Sequence, residues 1–135
     1  MLKITEIKTE LTNRLQTITE LTVRSGYFAM FSEINSRLAV IQMDGEAIES
    51  RNELTYKASR SLYIVLAVPM KQGAFDELEQ LLFDTRKLLF TQRDKTLNGL
   101  AVSIKTTGEA VFEPAKSGNF ITATIPVAVV YIQPL

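Results

Sequence analysis

Residues 54–70 read Leu-Thr-Tyr-Lys-Ala-Ser-Arg-Ser-Leu-Tyr-Ile-Val-Leu-Ala-Val-Pro-Met, and a change of character halfway along decides the fold. From Leu62 to Val68 successive residues are apolar, so both faces of an extended chain are buried, as in a central strand covered on one side by helices. From Thr55 to Ser61 the pattern alternates, which suits a strand half exposed to water. One strand over Leu54–Val68 therefore outruns the core. The expected form is a protruding hairpin arm, with a loop over the first half as the alternative. Pro69 ends the strand because it has no N–H for a ladder.

Gly73 then introduces a helix over Ala74–Phe90, in which Phe75, Leu78, Leu81, Leu82, Thr85, Leu88 and Leu89 recur on one face. Asp76, Glu77 and Glu79 sit in its first turns and Arg86 and Lys87 near its end, which suits the helix macrodipole. Upstream, Ile4, Ile7, Leu11, Leu15 and Ile18 form a similar stripe and predict an amphipathic helix over Ile4–Leu21. Its many threonines lower its intrinsic propensity, so packing must hold it. Ser25-Gly26 breaks the pattern, and Tyr27–Phe31 is a short apolar run of strand or turn character.

The remaining elements are β-type. Leu38–Met43 reads as a short strand, and Asp44-Gly45 opens a polar loop that runs to Asn52. Leu100, Val102 and Ile104 alternate, Gly108 marks a turn, and a short strand over Glu109–Glu113 stops at Pro114. Ala115–Asn119 reads as a hairpin loop before a final strand, Phe120–Gln133. Pro126 within that strand argues for an edge position or a bulge. The order α-β-β-α-β-β-β makes an α+β domain spanning residues 1–135. It has a mostly antiparallel or mixed sheet of about five strands and both helices on one face.

Composition narrows the chemistry. The 135 residues suffice for one domain with a real core. Fifteen basic residues balance fifteen acidic ones, and the halves balance too: eight against eight over 1–70, seven against seven over 71–135. No half is a basic arm, so general nucleic-acid binding has no electrostatic footprint. Cysteine and histidine are both absent, which removes disulfides, thiolate nucleophiles, Cys/His zinc sites and imidazole bases. The six glycines make no phosphate loop, and no G-x-S-x-G elbow exists. The expectation is a protein that is not an enzyme and has no cofactor, metal or catalytic residue. The opening Met-Leu-Lys-Ile-Thr-Glu lacks a signal peptide's apolar core, and Leu62–Met70 is too short to span a bilayer, so a cytoplasmic protein without membrane contact is expected.

One asymmetry stands out. Asp44, Glu46, Glu49 and Glu53 face only Arg51 in the polar stretch, whereas Arg86, Lys87, Arg93 and Lys95 surround the end of the second helix, diluted by Asp84 and Asp94. Opposite patches on one small domain suit a head-to-tail contact between copies, which closes into a ring when the rotation permits. Two unrelated solvated patches are the alternative.

In its layout the chain resembles the tail terminator proteins of long-tailed phages, the minor tail protein U kind. The resemblance runs through the opening helix, the early strand Leu38–Met43 with its polar loop, and Leu62–Val68 ending in Pro69. It continues through the helix of the Ala74–Phe90 kind and the closing Ala128-Val129-Val130-Tyr131-Ile132-Gln133-Pro134-Leu135. It covers nearly all of the chain and carries no diagnostic motif. It implies a homo-oligomeric ring, a hexamer in that family, that caps the tail-tube protein, halts tube growth and meets the head-completion or connector protein. DNA would pass through the lumen without being read, in a virion tail assembled in the bacterial cytoplasm. Two other classes remain: a head–tail joining or tail-completion protein, and a small ligand-binding or regulatory α+β domain, which would need a pocket.

Overall fold

A computed structural model describes residues 2–31, 34–91 and 94–135. Helix α1 (Lys3–Leu15) buries Ile7, Leu11 and Leu15, and helix α2 (Ala74–Leu89) buries Leu78, Leu81, Leu82, Thr85 and Leu89. Both pack on one face of a sheet dominated by two long strands, β3 (Thr55–Pro69) and β6 (Phe120–Pro134). Alternate residues supply that face: Leu62, Ile64, Leu66 and Val68 from β3, and Ile121 through Tyr131 at odd positions from β6. Period-two alternation against helical stripes thus makes one core.

The sheet order is β1 (Thr22–Ser25), β2 (Leu38–Arg51), β3, β6, β4 (Ser103–Thr106), with β5 (Val111–Pro114) also paired to β6. β1 runs parallel to β2 and every other pair is antiparallel. The protein is therefore α+β with a mixed sheet of six strands, one more than expected. The additional strand is β1, four residues whose partner, Leu38–Ile41, lies beyond a loop and a 3-10 turn at Phe28–Met30.

Three departures from the sequence expectation have a clear physical reason. The first helix stops at Leu15 rather than Leu21. There the Thr17 hydroxyl donates to the Arg14 carbonyl at 2.6 Å, Thr17-Ile18-Thr19 is β-branched throughout, and Glu20 takes a positive φ of 58°. Residues 44–51 are not a loop: β2 continues through them, with register shifts between Met43 and Glu46 and between Ile48 and Ser50. Those bulges disguise the alternation. Lastly, Pro126 lies on an interior strand without a bulge of its own, since β3 flanks all of β6. Its outer side faces the gap between β4, which ends opposite Val127, and β5, which begins opposite Thr124. The Pro126 carbonyl accepts the Thr107 N–H at 3.0 Å, so its missing donor points into that gap and breaks no ladder.

The face away from the helices is also partly covered. Leu38, Val40, Val65 and Ala67 bury themselves there with Ile34, against Phe28, Phe31, Tyr63 and Phe120. That second, aromatic cluster explains why Leu62–Val68 is apolar at consecutive positions. No helix among the described residues is long and apolar enough to cross a membrane.

Candidate functional site

The outer half of β2 carries the acidic residues singled out above. Asp44, Glu46, Glu49, Arg51 and Glu53 are all on the surface, but the neighbouring strand neutralises two of the acids. Arg60 lies 3.7 Å from Glu46 and Lys57 lies 3.7 Å from Glu49. Arg60 also donates from Nε to the Asp44 carbonyl at 2.9 Å, and the Tyr131 hydroxyl donates to Glu46 at 2.6 Å. Burial, and then Glu46, push the Tyr131 phenol well above its ordinary pKa. Cross-strand pairing, invisible in a linear reading, turns half of the acidic run into internal structure.

The arm itself is a strand, as the alternation suggested, but it is broader than a lone hairpin. β6 pairs with β3 as far as Thr55 opposite Pro134, and α1 backs the extension where the Lys3 N–H reaches the Gln133 side-chain oxygen at 2.7 Å. Its tip is a tight turn. Asn52 accepts the N–H groups of Leu54 and Thr55 at 2.8 and 2.9 Å through its side chain. This holds Leu54 out at 76% exposure, beside Leu135 at 70%, whose N–H bonds the Leu54 carbonyl at 2.8 Å. Arg51, just before the turn, and Glu53, within it, have no ion pair among the described residues.

The basic group lies elsewhere. Arg86 and Lys87 are exposed on the last turns of α2, with Lys87 5.4 Å above the Phe83 ring, and Lys95 is exposed before β4; Arg93 lies outside the described residues. Asp94 does not dilute this group as the sequence suggested. It is bound to Arg14, and it accepts the N–H groups of Thr96 and Asn98 at 3.2 Å. The hydrogen bond from Arg14 is the main reason its pKa falls to about 2. None of the described ion pairs joins an acid of 44–53 to a base of 86–95.

A third feature was not legible in the sequence. On the helix-free face, the 3-10 turn and the β5–β6 hairpin border a groove of about 480 Å³. Phe28, Tyr63, Val65 and Phe120 give it apolar walls, with Phe28 edge-on to Phe120 at 5.7 Å. Its polar groups are partly committed: Gln42 Oε1 accepts the Phe28 N–H at 2.9 Å, and the Thr122 hydroxyl donates to the Glu113 carbonyl at 3.2 Å. The side chains of Glu113 and Lys116, on its rim, have no ion pair among the described residues. The residues come from four separate segments, so only the tertiary structure brings them together. Among the described residues, no group of three or more acids converges as a metal site would.

No known protein-family model matches the chain, and no curated protein matches it in sequence.

Proposed function

We propose that the chain is a phage or prophage virion assembly protein of the tail-terminator kind, and not an enzyme. In this reading copies close into a ring, by the resemblance a hexamer, on the last ring of tail-tube protein. The ring ends tube growth and presents a joining surface to the head-completion protein, with DNA passing through its lumen. The supporting observation is the molecule's polarity. An arm tipped by exposed leucines lies on one part of the fold, and the exposed cations Arg86 and Lys87 of α2 lie on another. Two unlike surfaces on one protomer favour a heterologous contact, which repeats head to tail until it closes.

The test is to mix the purified protein with isolated tail tubes and follow both by electron microscopy and analytical ultracentrifugation. Capped tube ends and concentration-dependent rings are expected. Undecorated tubes together with a monomer at every concentration would reject the reading. Loss of the gene in its phage should leave heads normal and tails overlong or unjoined.

The groove favours a second reading, a small ligand-binding domain, because apolar concavities of this size are where ligands sit. A screen of small apolar and aromatic compounds by thermal shift, with self-association followed in parallel, separates the two: a ligand-binding domain gives a stabilising hit in a protein that never assembles.

A further inference from the structure

We infer that the arm tip of one copy seats in the aromatic groove of the next, with Leu54 as the knob and the Phe28–Tyr63–Phe120 groove as the socket. This rests on the ring reading and names the contact that would build it.

The tip has the properties of an interface anchor. Leu54 is the most exposed large apolar side chain among the described residues, at 76%. It is not on a loose loop: the Asn52 side chain holds the N–H groups of Leu54 and Thr55, and the Asn52 N–H bonds the Thr55 carbonyl at 2.9 Å. A pre-ordered apolar knob loses little entropy on docking. Leu135 beside it widens the apolar surface.

The groove has the complementary properties. Its aromatic walls give it an apolar floor, and the commitments of Gln42 and Thr122 reduce what it offers a polar small molecule. Beside the apolar walls stand a carboxylate, Glu113, and an ammonium, Lys116, on the rim, neither in an ion pair among the described residues. The tip carries the matching pair, Arg51 and Glu53, three positions and one position before Leu54 and both exposed. A base and an acid next to the knob, without ion pairs among the described residues, can meet an acid and a base on the socket rim across one contact.

Knob and socket cannot meet within one molecule. The tip is at the start of β3, whereas Tyr63 and Val65 lie just past its middle, roughly 30–36 Å along it at about 3.3 Å per residue. Surfaces that are complementary, distinct and remote on a rigid strand bind a second copy and then a third, the condition for a ring or filament.

The experiment uses the full-length protein and reads self-association by ultracentrifugation, with circular dichroism as the check on folding. Leu54→Asp should weaken association about tenfold or more, the equivalent of losing one well-buried apolar contact. Glu53→Lys alone and Lys116→Glu alone should each weaken it, and the double variant should restore it, because the swapped charges attract again. Rings that form equally well in Leu54→Asp and both single charge variants would overturn this contact and leave the ring reading standing. A wild-type protein that never associates, alone or on tubes, would overturn both. Rings that persist while Leu54→Asp no longer docks on tubes would assign the tip to the tube protein and overturn the second-copy assignment.

Discussion

Tyr131 reaches across the sheet to Glu46, donating its hydroxyl to the carboxylate at 2.6 Å from two strands away. It can do so because Ala58, paired with both Ile48 and Tyr131, is small and fully buried beneath it. The bond pins the outer half of β2 just past the first register shift. Tyr131→Phe should therefore cost about 1 kcal/mol in urea denaturation. Glu46→Lys should cost about 1–3 kcal/mol, because it orphans the phenol and sets a cation beside Arg60. Reversal at Glu49, an exposed position, should stay within about 0.5 kcal/mol.

The same phenol sets an alkaline limit. Its pKa is raised in the folded state by burial and by Glu46, above an ordinary value of 10.0. The stabilisation is complete below pH 10 and declines as pH rises from there toward the folded-state pKa, since only the unfolded chain ionises readily. Stability curves of wild type and Tyr131→Phe should be offset at neutral pH and converge above pH 10.

Asp94 has the opposite sign. Its pKa is lowered from 3.8 to about 2, first by the hydrogen bond from Arg14. Its contribution is present above about pH 4 and is lost as pH falls toward 2. Asp94→Asn should lower the thermal midpoint at pH 7, and the difference from wild type should vanish near pH 2.

Within α2, Leu78 and Thr85 are both fully buried, but their removal should differ. Leu78→Ala opens a cavity under the sheet and should cost about 2–5 kcal/mol. Thr85→Val should be nearly neutral, because the hydroxyl bonds only the Leu81 carbonyl at 2.8 Å, an oxygen within the helix ladder. Paired denaturation curves measure both.

Elements with one dominant local signal were readable from the sequence: the stripe of α2, the double-sided run Leu62–Val68 and the hairpin loop 115–119. Those that depend on distant partners were not. β1 is four residues made a strand by Leu38–Ile41. Residues 44–51 read as polar loop because two bulges scramble the alternation and because their charges are answered from β3, not from their own segment. Pro126 signalled a missing ladder bond, and the gap between β4 and β5 lies where that signal pointed, although the strand is interior. For the candidate site, the uneven charge could be seen in the chain. The groove could not, since Phe28, Tyr63 and Phe120 carry no mark that separates a socket wall from core.

β6 follows every other strand in the chain, yet it sits between β3 on one side and β4 and β5 on the other. A ribosome therefore makes the sheet's keystone after all of its partners. Until β6 arrives, β3 has an open edge along its whole length, and Leu62–Val68 has no neighbour on that side. Closing β6 onto β3 brings residues more than fifty positions apart together, a high contact order that slows folding compared with a helical domain of equal size. The nascent chain is thus sticky for longer than its size suggests, and its aggregation hazard is a matter of timing during synthesis rather than of the finished surface.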